Sequence, residues 1–402
     1  MVTGNLLYLL SSNNGTHMSL ADLNNWIEIS ESAYSHNLHF FKNQLPEKTE
    51  FAAVIKSNAY GHGMKVIADL AIKHRVDSFC VHSLDEAVEL RRHGIKHDIL
   101  IMGPVLLSRL SEVIIHQLRL VVYNIEAVQQ LKKLTSQLKS PVRIHLKLET
   151  GTFRQGITEE DLDNFILELK SSKLLKLEGI YTHFANIEDT TNHDYAYYQL
   201  NLFNKMTARI KNSGFSEAKS HAACSAAILL FPETHFDMVR LGISQYGLWP
   251  SRETFVSYKT RHPGKVEDML QPVMGWKCKI GQIKTVKADQ KVGYGGTFQT
   301  TRLSKIAILP VGYADGYDRG LSNQTSVLIH GRRAPLRGRV CMNLVMVDIT
   351  DIPDVKLEDT VTLMGVDRQE RISCDYLANI CGTINYEFAS RINWQIPRLV
   401  IQ

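Results

Sequence analysis

The sequence predicts a two-domain α/β protein, an N-terminal (β/α)8 TIM-type barrel followed by a mainly β C-terminal domain. Three observations carry this expectation. The chain has 402 residues, more than one domain usually holds. Short β-rich runs alternate with stretches of helical period over about the first 245 residues. After about Arg261 the texture changes to Gly-punctuated, β-branched runs.

The β-rich runs are FAAVI (51 to 55), SFCVH (78 to 82), DILIM (98 to 102), RLVVY (119 to 123), VRIHLKL (142 to 148), LEGIYTH (177 to 183), KSHAA (219 to 223) and FDMVR (236 to 240). Between them lie helix-like segments such as Met64 to His74, Leu84 to His93, Glu126 to Leu138, Glu159 to Leu169 and Ala196 to Asn212. Eight strands with intervening helices suggest a closed barrel rather than an open sheet. In the later part, KCKIGQIKTV, KIAILPV, TSVLIHG, LVMVDI and DTVTLMG read as strands separated by turns. The polar segment SRETFVSYKTRHPGK, with Pro263 and Gly264, marks the junction, so the barrel is placed at residues 26–262 and the β domain at 263–402.

Residues 1–25 contain a short apolar run, Leu6 to Leu10, without a basic n-region or a small-residue cleavage site, and read as a loose extension. A later native start at Met18 fits equally well. No run of about 20 apolar residues occurs, which argues against a membrane span. A formal charge of +5, with bases and acids interspersed, argues against nucleic-acid or membrane partners. The six cysteines show no CxxC pair or metal-ligand spacing, which fits a reducing compartment, with the cytoplasm as the expected location.

Working residues of a (β/α)8 barrel lie at the C-terminal strand ends. Five strands place a polar residue there: Lys56, Lys147, His183, Ser225 and Arg240. Taken singly, each has a bland reading, the lysines as snorkelling surface residues, His183 as a hydrogen-bonded core residue and Gly242 as a turn former. Two lysines on one rim are harder to dismiss, because burying an unpaired ammonium is costly. Lys56 opens the loop KSNAYGHG, and a lysine so placed can form a Schiff base with an aldehyde such as pyridoxal phosphate. The phosphate would then need backbone amides, which Ser225 and the Arg240-Leu241-Gly242-Ile243 stretch can supply.

At this point a resemblance becomes specific. AAVIKSNAYGHG closely resembles the cofactor-attachment signature of alanine racemases, and HLKLETGTFRQG, GIYTHFAN, HAACSAAIL, FDMVRLGISQYG, VGYGGTF, LPVGYADGY, GRVCMN and INYEF resemble that family's later blocks in the same order. The match runs from about Trp26 to Arg398. It implies pyridoxal 5'-phosphate as cofactor and alanine as substrate, with Lys56 and Tyr294 as the two acid/base residues. It further implies Tyr60, Ser225, Gly242, Ile243 and Tyr386 around the phosphate, Arg240 at the pyridine nitrogen, Arg154 at the phenolic oxygen, and His183 against the ring and Arg240. Tyr294, Tyr313 and Met342 would reach the active site of the other subunit in a head-to-tail homodimer, with Arg154, Met342 and Tyr313 lining the substrate site. Lys147 matches a position that carries a carbamate in several members, where it orients Arg154. D-Alanine for peptidoglycan would be the product.

Racemisation removes the Cα proton from one face and returns one to the other, so two acid/base groups must flank the substrate. An arginine at the pyridine nitrogen would not give up its proton, leaving a weaker electron sink that disfavours transamination. The sequence departs from the family at Cys224, where Asn is common, and at Asn343, where Asp is usual. These changes leave open a broader-specificity racemase of the same fold. A decarboxylase lacks support because Arg240 occupies the place of its acidic pyridine partner. A non-catalytic cofactor-binding protein would not need the β domain that carries Tyr294.

Overall fold

The computed structural model describes residues 22–264 and 269–402. The extension read over residues 1–25 falls outside the described residues except for its last four. These residues form two compact units, one of 35–57 and 67–271, the other containing residues up to 34 together with 58–66 and 272–402.

The first strand, β1 (Asn25–Ser30), belongs to the second unit, and the eight that follow build the barrel. They are β2 (Glu50–Val54), β3 (Ser78–Val81), β4 (Asp98–Ile101), β5 (Arg119–Val122), β6 (Val142–Lys147), β7 (Leu175–Tyr181), β8 (Lys219–His221) and β9 (Met238–Leu241). All pair in parallel, β2 through β8 in chain order, with β9 beside β2. The ring closes between β8 and β9, where Asp237 N–H donates to Ser220 C=O at 3.0 Å and Arg240 N–H to Ala223 C=O at 3.0 Å. Strands covered on both faces read as continuous buried runs, as β3, β5 and β9 do. The helix Leu84–Arg92 starts with a capping box: Ser83 Oγ accepts from Glu86 N–H at 3.1 Å and Glu86 accepts from Ser83 N–H at 3.0 Å.

Inside the barrel the strand starts carry charges that satisfy one another. Arg119, buried, donates to Glu50 (2.7 Å), Asp98 (2.8 Å) and Glu178 (2.6 Å), while Lys219 and Ser78 each reach Glu50 at 2.6 Å. One layer higher, β6 and β7 slip register between Ile144 and His145, and His145 comes opposite Gly179. A Cβ at Gly179 would lie 2.3 Å from His145 Nδ1, so only glycine leaves room for the imidazole.

In the other unit, β1 runs antiparallel to Met274–Lys279 and parallel to Arg398–Ile401 within a seven-stranded sheet, and a three-stranded sheet is formed by Gln282–Val286, Ser304–Leu309 and Val345–Asp348. Trp276, fully buried, crosses Tyr317 edge-on at 5.7 Å and donates to Asn25 Oδ1 at 2.6 Å. The chain passes from one unit to the other after Tyr34, Ser57, Val66 and Gln271, and the long-range pairing of β1 leaves no mark in local periodicity. Among the described residues no helix is long and apolar enough to cross a membrane.

Two outcomes follow from the barrel interior. Burial pushes the Glu50 carboxyl up, but the Arg119 charge and hydrogen bonds from Lys219, Ser78 and Arg119 outweigh it and hold the group at about 2, below its ordinary 4.5. A depressed carboxylate stabilises the fold above the unfolded value, so this contribution, about 3 kcal/mol for a shift of that size, is lost as the pH falls from ~4.5 towards ~2. Glu50→Gln should lower the thermal midpoint at neutral pH and flatten its acid limb in that window, and identical acid limbs for both proteins would contradict the assignment. Gly179→Ala should cost about 1–3 kcal/mol through overpacking, seen in chemical denaturation, and an unchanged midpoint would show that the ring can move aside freely.

Candidate functional site

The C-terminal strand ends of the barrel gather four cations. Lys56 follows β2, Lys147 ends β6, Arg154 lies in the loop after β6, and Arg240 lies in β9. Their mutual effect is visible in the amines: burial first, then the charge of Arg154, lowers Lys56, and the same causes together with Arg240 bring Lys147 down to about 8. Glu86 holds the entry to this rim, because its carboxylate accepts the Ser57 N–H at 2.6 Å as well as capping its own helix. The side chain that starts a helix therefore also fixes the backbone next to Lys56.

Immediately after Lys56 the chain makes one left-handed turn. Ser57, Asn58, Ala59 and Tyr60 have φ between 52° and 54°. L-residues resist this conformation by about 1–2 kcal/mol each, so the surrounding structure must hold it. Met64 N–H binds Asn58 Oδ1 at 2.8 Å, and His62 N–H binds Ala59 C=O at 3.0 Å. Two nitrogens of Arg398 converge on the Gly61 carbonyl at 2.8 and 3.2 Å. Gly61, with φ of 84°, faces the Ala389 carbonyl where a Cβ would lie 2.0 Å away. The turn presents Tyr60 6.0 Å from the Tyr386 ring, which pairs two of the candidate residues.

Arg240 is buried and held by three acceptors. It donates to His221 Nδ1 at 2.5 Å, to Thr182 C=O at 2.9 Å and to Ala222 C=O at 3.0 Å, and lies 4.9 Å over the Tyr181 ring. A guanidinium only donates, so His221 Nδ1 accepts and the His221 proton sits on Nε2, which faces His145 Nδ1 at 2.8 Å. Burial, reinforced by Arg240, holds His221 well below its ordinary range, and burial with Arg119 brings His145 to about 3. Both rings are neutral at ordinary pH. The arginine's imidazole partner is thus His221 and not His183, as the sequence had led us to expect. His183 nevertheless lies within the field of all four cations, which together with burial hold it neutral.

Ser225 opens the helix Ser225–Leu230, and its hydroxyl accepts from the backbone N–H groups of Gly242 (3.0 Å) and Ser244 (3.3 Å). Gln245 clamps this loop, its amide donating to the carbonyls of Val54 (3.0 Å), Leu241 (2.8 Å) and Gly242 (3.1 Å). Ser225 and the bonded amides of Gly242 and Ser244 therefore form one polar cradle at the ends of β8 and β9, with the buried Ile243 between them. Cys224, just before it, sets its Sγ 3.8 Å from Glu188 Oε2, and burial, then Asp189, raises the Glu188 carboxyl.

Lys147 donates to Gln155 Oε1 at 3.3 Å, and Gln155 Nε2 donates in turn to the Tyr123 hydroxyl at 3.0 Å. Glu149, the acid nearest in sequence, is spent on the N–H groups of Gly151 and Thr152. Arg154, exposed, makes no hydrogen bond or ion pair among the described residues.

In the β unit, Tyr313 and Met342 are zipped together: Tyr313 N–H binds Cys341 C=O and Ala314 N–H binds Met342 C=O, both at 3.0 Å. Gly312 permits this, since a Cβ there would lie 2.3 Å from both carbonyls. Tyr294 starts a short turn after Gly293 and is 75% exposed. Sequence reasoning missed Tyr123, His145, Gln155, Tyr181, Glu188 and His221. His145 lies two residues before Lys147 on the same strand face, and that spacing was the available signal.

The comparisons agree over nearly all of the chain. The family model described as "Alanine racemase, N-terminal domain" matches residues 29–250, and "Alanine racemase, C-terminal domain" matches 273–400. The alanine racemase of Leptospira interrogans is 39% identical over 390 residues, covering 97% of this chain and 99% of the relative. That of Methanococcus maripaludis is 37% identical over 377 residues, covering 94% and 98%. Among solved structures, alanine racemase from Bacillus anthracis with bound L-Ala-P superposes with a TM-score of 0.87 at 34% identity, covering 96% of each chain. A strand-end lysine in a cationic rim, an arginine locked by histidine and a matched β domain thus meet in one sequence, and this chain belongs to the alanine racemase family.

Proposed function

We propose that this chain interconverts L- and D-alanine with pyridoxal 5'-phosphate as cofactor, Lys56 and Tyr294 serving opposite faces of the substrate. The observation that carries the reading is the rim of Lys56, Lys147, Arg154 and Arg240, a concentration of positive charge that suits an anionic cofactor and a carboxylate substrate. The residues present fit the cofactor. The cradle of Ser225, Gly242 and Ile243, with the hydroxyls of Tyr60 and Tyr386, would hold its phosphate. Arg240 would donate to the pyridine nitrogen, Arg154 would face the phenolic oxygen, and His183 would lie against the ring. When bound, the cofactor withdraws electrons from the substrate Cα and makes its proton removable.

Lys56 is suited to take or return that proton because burial and Arg154 favour its neutral amine. Tyr294 supplies the second group, and family resemblance assigns Lys56 to the D and Tyr294 to the L enantiomer. Arg240, bonded to a neutral His221, stays a donor and keeps its proton. Arg154, Tyr313 and Met342 would line the substrate. Tyr294, Tyr313 and Met342 are all exposed in the single chain, which supports a head-to-tail homodimer in which they complete the site of a second copy. We further propose that Lys147 carries a carbamate: CO2 reacts with a neutral amine, a value near 8 makes that form accessible, and the anion would orient the otherwise unbonded Arg154. The Cys224 and Glu188 contact, together with Asn343, favours a second reading in which substrates larger than alanine are also accepted.

Lys56→Ala should abolish the visible absorbance of the bound cofactor. Tyr294→Phe should slow L-alanine racemisation by about 100-fold or more. Proton exchange in heavy water, followed by NMR with L-alanine, D-alanine and L-serine, reads both activity and substrate breadth. Wild type that binds the cofactor yet exchanges no Cα proton would leave only a binding protein. Mixing the two inactive variants tests sharing: if each site draws on two chains, half the dimers are mixed and each regains one site, restoring about a quarter of wild-type activity. No recovery after demonstrated subunit exchange would mean that each chain is self-sufficient.

A further inference from the structure

We propose that Gln155 is a positioning residue that lets position 147 hold either an amine or a carbamate, by turning its amide over between Lys147 and Tyr123. The inference rests on the carbamate reading of Lys147 above and deepens it. The three side chains form one line: Lys147 Nζ donates to Gln155 Oε1 at 3.3 Å, and Gln155 Nε2 donates to the Tyr123 hydroxyl at 3.0 Å. With an amine at 147 the amide oxygen must face the lysine. A carbamate presents acceptor oxygens, so the same amide must then present its NH2. Half a turn about the terminal torsion achieves this without changing shape, since amide O and N are nearly isosteric. Oε1 then faces Tyr123, whose hydroxyl switches from accepting to donating. In each state the amide keeps one hydrogen bond to position 147 and one to Tyr123.

The backbone keeps Gln155 in place for this. Glu149 N–H binds Ile157 C=O at 2.9 Å and Ile157 N–H binds the Lys147 carbonyl at 2.8 Å, folding the loop back onto the end of β6. Gly156, with φ of 147°, makes that return possible, since a Cβ there would lie 2.6 Å from the Glu149 nitrogen. The lysine itself is buried, close to the cations Arg154 and Arg240, and these surroundings push it to about 8. In the chemical step the neutral amine's lone pair bonds to the carbon of CO2, one C=O electron pair moves onto oxygen, and a proton leaves the nitrogen for solvent. The ammonium–carbonyl contact is thereby replaced by an amide N–H donating to a carboxylate-like oxygen.

Substitutions separate the roles. Glutamate at 155 keeps the shape but can only accept, so it favours the ammonium and repels the carbamate. Phenylalanine at 123 removes the donor that the turned amide needs. The test is incorporation of 13C from labelled bicarbonate into the holoenzyme, read as the carbamate carbon signal by NMR. Lys147→Ala assigns the signal by removing it. At equal bicarbonate, Gln155→Glu should carry a carbamate more than about tenfold weaker than wild type, the scale of one hydrogen bond to a charged group. Tyr123→Phe should weaken it by a smaller factor, and this arm decides the matter if Gln155→Glu does not fold. Wild-type labelling with unchanged bicarbonate dependence in the folded variants would overturn the role of Gln155 alone. Absence of a Lys147-dependent signal in wild type would overturn the carbamate reading and the switch with it.

Discussion

Everything at this barrel's centre depends on one constraint: charged and polar groups are stacked from the strand starts to the strand ends, and the cations among them must be held by acceptors on their neighbours. A (β/α)8 barrel is ordinarily filled by branched apolar side chains. Here Arg119 is answered by Glu50, Asp98 and Glu178 at the strand starts, His145 and His221 answer each other in the middle, and Arg240 is answered by His221 and two carbonyls above them. The column ends at Lys56, Lys147 and Arg154, where basic groups outnumber the acids Glu86 and Glu149 beside them. An excess of positive charge on a rim suits anions, and the column below holds Arg240 in place.

The glycines and the strained turn follow from the same demand. Gly179 makes room for the imidazole of His145, so that the ring can reach His221. Four consecutive residues at positive φ after Lys56 carry the chain from the lysine to Tyr60, and Arg398 and Asn58 hold that turn by hydrogen bonds to its backbone neighbours. Local conformational cost is thus concentrated beside Lys56 and offset by contacts made far away in sequence.

Much of this was legible beforehand. Each of the eight barrel strands overlaps the run read for it, because a doubly buried parallel strand leaves a compact apolar signature. Lys56, Lys147, Ser225 and Arg240 stood out as polar residues at strand ends. The pairing of β1 with Met274–Lys279 was not legible, since pairing across some 250 residues of sequence leaves no local periodicity. The left-handed turn was hidden because Ser, Asn, Ala and Tyr carry no demand for positive φ; the demand comes from Ala389 and Arg398. His221 was read only as part of KSHAA, and Gln155 only as part of the block HLKLETGTFRQG, because partnership is a property of three dimensions. The motif blocks supplied the family, while the structure supplied the reasons its residues hold still.

The central claim, that a charged Arg240 is fixed by a neutral histidine pair, is tested most directly by 15N NMR of the imidazole nitrogens in the holoenzyme. His221 and His145 should each show a protonated Nε2 and an unprotonated Nδ1, unchanged from about pH 5 to pH 9, well above the depressed range that burial imposes. An imidazolium at His221, or a proton on its Nδ1, would mean that Arg240 is not donating to it, and the account of the polar column would fail at its middle.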